Sequence, residues 1–525
     1  MNQDGAAMSA NEAPTLLRGN KTLITIGAMI AGLMAFLDIS IVNVALNDIR
    51  ANFGTPLDQI VWVSTAYAMA NITIIPISGW LLKRFGFRRY YTASIVIFTI
   101  ASVLCGLSWS LPSLVVFRIL QGLGGGAIIP TSQSVLFSRY PEREQGTAGA
   151  FFAIGAITGP LLGPTVGGYL VDVSSWHWIF FLNLPLGIVA ALIAWTQIEQ
   201  PSFVADKSPV DRFGIALLAI GMVSLQYVLE EGNRDGWLES RTIAFLSVVA
   251  AIALTVFIVH ELETENPVVD LRVFADVGYS AATGLNFLVG TAIFAGSVLL
   301  SLYCGNILHY KPLQIGQVFL QGAWIQLLIF PIVGKLVSKV DPRLLMVIAN
   351  TGITASLWLS GHLNAESDVH AVVTPYFVRC VGTGFGFVPL TFLAVASLPA
   401  ARRPSGTALF NLTRELGASI GTALISTMLD RESKKSFTFI TSHVDAGNPL
   451  LAEQSSQFVH GPGARLADPQ AGALIALYGR IGSQSLLRAF NNCFLMLAFA
   501  FVVGSVLIFF MRKPSAGVAV PKADH

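Results

Sequence analysis

Fourteen stretches of predominantly apolar residues run through the chain, at approximately 22–46, 58–82, 90–108, 112–138, 146–172, 176–197, 213–230, 242–261, 279–308, 315–338, 343–363, 374–398, 406–429 and 486–511. Each is long enough to cross the hydrocarbon core of a bilayer as a helix, which takes about 20 residues. Inside lipid every backbone N–H and C=O needs an internal partner, so only helices or a closed β-barrel can span it. A barrel would show short alternating segments, and none is visible. Prolines within the stretches (Pro76, Pro130, Pro160, Pro164, Pro185, Pro331, Pro389) are unusual for soluble core helices but tolerated in membrane bundles. Charged residues make up only 12% of the chain, about half the share of a soluble domain, and mean hydropathy is +0.66. The expected fold is an all-α polytopic membrane protein with 14 transmembrane helices.

A net charge of +2 leaves no electrostatic footprint for nucleic acid. Cys105, Cys304, Cys380 and Cys493 lie within apolar stretches without a CxxC pair and read as small core hydrophobes. Residues 1–20 are polar and mixed in charge, and the first apolar run is too long for the core of a cleavable signal peptide. Basic residues set the orientation. With a cytoplasmic N-terminus, nineteen Lys and Arg fall on the inside, against four in the short outside loops (Arg50, Arg234, Arg241, Lys311) and six in the long outside segment from about 430, counting Arg488 at its end. Both termini are therefore expected in the cytoplasm.

The chain also repeats itself. Gly79, Leu81, Arg84 and Arg88 recur as Gly334, Leu336, Lys339 and Arg343 with the same mutual spacing. Pro141 and Gly146-Thr147-Ala148 recur as Pro399 and Gly406-Thr407-Ala408, and Pro130 matches Pro389. The offset exceeds one six-helix half, and two inserted helices fill the surplus. The expected division is a tail at 1–21, a six-helix half at 22–198, a linker with two inserted helices at 199–274, a second six-helix half at 275–511 and a tail at 512–525. The second half includes a long extracytoplasmic segment at 430–485. Parallel halves of this kind are a transporter plan.

Several segments sharpen that reading. Gly79-Trp-Leu-Leu-Lys-Arg84-Phe-Gly-Phe-Arg88-Arg resembles the signature loop of the major facilitator superfamily, with Lys83 where most members carry aspartate. Arg118-Ile-Leu-Gln121-Gly122 resembles the arginine motif of its proton-coupled members. Gly159-x-x-x-Gly163-Pro164-x-x-Gly167-Gly168 resembles the antiporter motif. Leu37-Asp38-x-x-Ile41-Val42-Asn43-Val44-Ala45-Leu46 is similar to the first-span motif of the fourteen-helix drug:proton antiporters. Trp176-His-Trp-Ile-Phe-Phe-Leu-Asn183-Leu-Pro185 and Asn411-Leu-Thr-Arg414-Glu415-Leu-Gly417 point to the same subfamily. The likeness is to the EmrB/QacA group, and within it to EmrB-type pumps.

Asp38 is the sharpest single residue. An acid in mid-span costs about 2.5–3.5 kcal/mol on insertion scales, so it faces the bundle or a water-filled cavity. Two roles are open to it: taking up a proton in one facing state and releasing it in the other, or pairing structurally with an arginine. The first is the default for acids inside a membrane. Arg118 is its natural partner, either in proton coupling, as the resemblance implies, or as a structural tie between helices. Gln121 lies on the same helix face. Arg414 and Glu415 are neighbours and point about 100° apart on a helix, which argues against a direct pair. Glu415 is either a second proton site or a cation contact in the second half, or else a structural acid that snorkels or pairs with Arg379. Asn43, Gln121, Arg379 and Arg414 are candidates for a coupling network or substrate cavity, with Asn43, Gln121 and Arg414 inside motifs that carry the resemblance. The resemblance gives conformational roles to Gly79, Arg84 and Arg88, and to Gly159, Gly163, Pro164, Gly167 and Gly168, which in related antiporters pack the two halves together.

Gly417-Ala-Ser-Ile-Gly421 matches a nucleophile-elbow pattern but lies inside an apolar helix, and the glycine runs near 122–126 and 382–386 follow no strand. No enzyme is expected. The resemblance implies proton-coupled efflux of amphiphilic or hydrophobic drugs from the bacterial cytoplasmic (inner) membrane. It also implies a periplasmic membrane-fusion adaptor and an outer-membrane channel as partners. No cofactor is expected, and the proton gradient would supply the energy. A same-fold exporter of a defined metabolite, lipid or siderophore is the nearest alternative, followed by a gated channel and a membrane-embedded enzyme.

Overall fold

A computed structural model describes residues 17–511, apart from 142–143, 201–202, 397, 400–401, 445–452, 454–455, 458 and 461–467. The predicted C-terminal tail and most of the predicted N-terminal tail lie outside the described residues, as does much of 445–467. Among the described residues thirteen long helices carry the architecture: α1 (Lys21–Phe53), α2 (Trp62–Gly106), α3 (Leu111–Arg139), α4 (Gln145–Val173), α5 (Asn183–Gln197), α6 (Arg212–Glu231), α7 (Arg241–Glu263), α8 (Val277–Asn306), α9 (Pro312–Leu336), α10 (Pro342–Ser360), α11 (Val369–Ala396), α12 (Arg403–Ser442) and α13 (Pro469–Gly504). Eleven candidate spans among the described residues are long and apolar enough to cross a bilayer. All fourteen predicted stretches fall on helical segments.

Polar caps start these helices where apolar runs begin. The Asn20 side chain accepts from the amides of Thr22 and Leu23, and Ser110 and Ser113 form a capping box on α3. Asp211, Asp276, Asp341 and Asp468 each accept from a first-turn amide of α6, α8, α10 and α13. Straight, the 45 residues of α2 would reach about 67 Å. They are two helices meeting at Gly86, whose φ of 78° and ψ of 161° suit glycine. That turn is the predicted signature loop.

The two halves meet at one end of the bundle through matching members of the repeat. A Cβ on Gly79 of α2 would lie 2.7 Å from the Ser405 Cα at the start of α12. A Cβ on Gly334 of α9 would lie 2.7 Å from the Ala150 Cβ and 2.9 Å from the Gly146 carbonyl at the start of α4. Repeat partners thus cross over to seal the same end, and Asn411 of α12 donates to Gln133 of α3 nearby.

The antiporter-motif glycines pack differently from the expectation. Gly159, Gly163 and Gly167 lie against Phe36, Ser40 and Ile41 of α1, inside their own half. A Cβ on Gly168 would meet no other helix within 4 Å among the described residues, and the Pro164 side chain lies outside them. Where α4 does meet the other half, it does so through its opening turns, because small residues at Gly146 and Ala150 allow the approach there.

The linker after α5 forms a strap over the signature loop. Arg18 and Glu199 exchange backbone hydrogen bonds, and Arg84 donates to the carbonyls of Asp206 (3.4 Å) and Ser208 (2.8 Å). The Gln200 Oε1 accepts from the Phe87 amide, and Arg88 stacks on Trp195. Of the inserted helices, α6 packs against both α2 and α12, whereas α7 packs on α6 and is mostly exposed.

The predicted extracytoplasmic segment is more helical than expected. Helix α12 continues about 20 Å past residue 429, and α13 starts about 26 Å before residue 486. Hydropathy marks only the part of a helix that sits in lipid, so the polar extensions were invisible to it.

Candidate functional site

Asp38 sits midway along α1 and is fully buried. Its Oδ2 accepts from the Arg118 Nη1 at 2.6 Å, and its Oδ1 accepts from the Gln121 Nε2 at 2.8 Å and the Asn183 Nδ2 at 3.0 Å. Arg118, 1% exposed, also donates to the Gln121 Oε1 (2.8 Å) and, through Nε, to the Val63 carbonyl (3.0 Å). Its guanidinium lies 4.2 Å from the centroid of the Tyr67 ring. Asn183 donates in turn to Ser102. One carboxylate thus gathers α1, α2, α3 and α5 around a single ion pair.

Such a pair stands only if nearly every polar atom is satisfied, since desolvating two charges costs several kcal/mol per ion. Three donors meet the two carboxylate oxygens, which meets that condition at Asp38 itself, while the Asn183 Oδ1 is buried with no hydrogen-bond partner among the described residues. Asp38, Arg118 and Gln121 come together as the sequence indicated. Asn183 was legible only as part of a family motif, and nothing in its spacing pointed to Asp38.

Beside this network a cavity of about 150 Å³ opens between the halves, lined in part by Asn43, Ser64, Tyr67, Asn71, Arg118 and Glu415. Ser64 lies about 22 Å along α2 from Gly79, so the cavity occupies the end opposite the seal. Asn43 is exposed to it and accepts from the Ser64 hydroxyl at 3.1 Å. Gln226 and Glu230 of the inserted helix α6 also line it. The sequence reading missed both, because Glu230 looked like the polar end of a span.

In the second half the charges are arranged more loosely. The Arg414 Nη2 approaches the Glu415 Oε1 at 3.5 Å, despite the angle between neighbouring helical positions. That angle constrains Cβ directions, whereas two long side chains can bend toward each other. The contact is too long for a good hydrogen bond, and Arg414 Nη2 has none, though it is buried. The guanidinium lies between the rings of Phe36 and Phe387. Arg379 does not reach Glu415: it donates to Ser297 Oγ (3.2 Å) and the Ala292 carbonyl (3.4 Å), and lies over Tyr376.

The sequence profile described as Major Facilitator Superfamily matches residues 28–422. The chain is 33% identical over 514 residues to the Multidrug export protein EmrB of Haemophilus influenzae, covering 96% of this chain and 98% of that one. It is 31% identical over 495 residues to the Fatty acid resistance protein FarB of Neisseria gonorrhoeae, covering 94% and 96%. Among solved structures, the human organic anion transporter MFSD10 (TETRAN) superposes with a TM-score of 0.61 at 11% identity, covering 93% of this chain and 99% of that one. A buried charge network beside a cavity between two repeated halves, together with these likenesses, makes the chain a member of the major facilitator superfamily and of its EmrB-type branch.

Proposed function

We propose that the protein exports amphiphilic, drug-like compounds by alternating access, driven by protons moving inward. The observation that carries this reading is the Asp38–Arg118–Gln121–Asn183 network, set beside a cavity that is open at one end and sealed at the other. The export functions of the EmrB-type relatives support it.

In this reading fourteen spans cross the bacterial inner membrane with both termini in the cytoplasm, and the sealed end faces the cytoplasm. A proton arriving through the open cavity neutralises Asp38. The Arg118 and Asn183 hydrogen bonds to it then lose their charge assistance, which is worth about half their strength. Arg118 stays charged and cannot relay the proton itself. Loosening this junction of four helices favours reclosure toward the other side, where the proton leaves and substrate enters. No cofactor takes part.

The α12–α13 hairpin, carried beyond the bilayer and braced by the Phe437–Tyr478 ring pair, would be the seat of a periplasmic adaptor leading to an outer-membrane channel. Leu474, Ile475 and Tyr478 are exposed on it. The test is efflux of a fluorescent amphiphile from proteoliposomes under an imposed pH gradient. Movement that follows the gradient and stops with a protonophore is expected. Movement indifferent to the gradient would overturn the reading in favour of a channel.

A further inference from the structure

The inserted pair of helices lies outside the repeat, and its first member does more than fill space. Helix α6 wedges between α2 of one half and α12 of the other, so one of its faces becomes a wall of the central cavity. Two polar side chains one turn apart occupy that wall. Glu230 is exposed to the cavity, and Gln226 is 3% exposed. The Gln226 Nε2 donates to the Glu230 Oε1 at 2.6 Å, which fixes the carboxylate's direction. The Gln226 Oε1 is buried with no hydrogen-bond partner. A buried acceptor left open is costly, and a ligand that donates to it recovers that cost.

The charge balance around the cavity points the same way. Arg118 is the basic residue in its lining, and its charge is committed to Asp38. No basic side chain among the described residues pairs with Glu230. Glu415 contributes a second carboxylate from α12, and its ion-pair partner among the described residues is the long contact from Arg414. The Tyr67 ring faces the same space. Where α6 meets α2, Trp62 and Tyr227 pair at a centroid distance of 5.7 Å. Carboxylates and one unfilled acceptor beside the Tyr67 ring together suit a flat, lipophilic cation with N–H donors, through ion pairing, hydrogen bonding and cation–π contact.

We propose that α6 supplies the cation-selective wall of the cavity, with Glu230 as the charge that recognises lipophilic cations and Gln226 as the residue that positions it. This rests on the efflux reading for its physiological meaning, but the binding site can be tested separately. Ethidium, a flat cation with amino donors, and Nile red, a neutral amphiphile, would be titrated into the purified full chain.

Glu230→Gln keeps the shape and the hydrogen bond while removing the charge. It is expected to weaken ethidium binding about tenfold and leave Nile red unchanged within twofold. Gln226→Leu should weaken ethidium several-fold, and Glu230→Asp should restore most of the affinity lost in Glu230→Gln. Equal weakening of both dyes in Glu230→Gln and Glu230→Asp would reduce the residue to a structural role and overturn the proposal. So would unchanged ethidium binding in both Glu230→Gln and Gln226→Leu. Efflux of ethidium by the wild-type chain under a pH gradient separates the two readings. Gradient-driven efflux with Glu230→Gln indistinguishable from wild type sinks the site and leaves the exporter. Selective loss of ethidium binding in a chain whose transport ignores the gradient sinks the exporter and leaves the site.

Discussion

The two halves share a repeated plan but treat their buried charges in opposite ways. In the first half, Asp38 and Arg118 are sealed from solvent and hydrogen-bonded on nearly every side. In the second, Arg414 is equally buried but poorly satisfied, and Glu415, 22% exposed, leans into the cavity. A carboxylate held by three donors behaves as a switch with two states, because removing one bond upsets the others. An under-satisfied pair beside a cavity is free to respond to whatever enters. The first half is thus built to couple and the second to adapt.

The largest effect should come from cutting the arginines. Arg118→Ala strands a buried carboxylate, a change that costs about 3–5 kcal/mol. Arg414→Ala removes a buried arginine whose single ion contact is long and whose Nη2 is already unsatisfied, so it should cost less than Arg118→Ala. Thermal unfolding of the purified chains in one detergent should show a marked drop for the first and a smaller one for the second. Equal drops would break the comparison.

The seal offers a control in which the halves should behave alike. Gly79→Val and Gly334→Val both push a side chain into backbone or Cβ atoms 2.7 Å away. Each should shift the population away from the sealed end and cut transport several-fold. Thiol labelling of a cysteine placed near Gly146 reports the opening. A strong effect from one and none from the other would mean that only one of the two contacts closes the molecule.

A smaller effect is expected at Glu415. Glu415→Gln should lower transport of a cationic dye a few-fold while its dependence on the pH gradient persists. Loss of that dependence would move coupling into the second half. The smallest effect lies in the strap. Hydrogen bonds from the Ser208 hydroxyl and amide hold the Asp206 carboxyl below its ordinary range, with help from Lys83 and Arg84. Because the folded value is depressed, this stabilisation is present at neutral pH and is lost as pH falls through that value. Asp206→Asn should remove the acid-sensitive step in protease cleavage near residue 207 and leave neutral-pH transport unchanged.

Much of this was legible in the sequence, for reasons that also explain the gaps. Lipid imposes a 20-residue period of hydropathy, so spans could be read directly, and a charged residue inside one stands out. That is how Asp38, Arg118 and Arg414 were found. Glu230 escaped because it borders a loop rich in charge, where an acid looks like an ordinary solvated helix end. Its signal was the four-residue spacing from Gln226 on the helix face that also carries Met222. Asn183 escaped because an asparagine can hydrogen-bond almost anywhere, and only the packing of α5 against α2 aims it at Asp38. The glycine motif showed that a close helix contact exists, but not that α1 would be the partner.

The central claim is that Asp38 couples protons to transport rather than merely holding four helices together. Proteoliposomes carrying wild type or Asp38→Asn would be assayed twice: for efflux driven by a pH gradient, and for one-for-one substrate exchange without any gradient. The account predicts that Asp38→Asn keeps exchange within a few-fold of wild type and loses gradient-driven efflux. Gradient-driven efflux that survives in the mutant, or driven efflux and exchange that fall together, would contradict it.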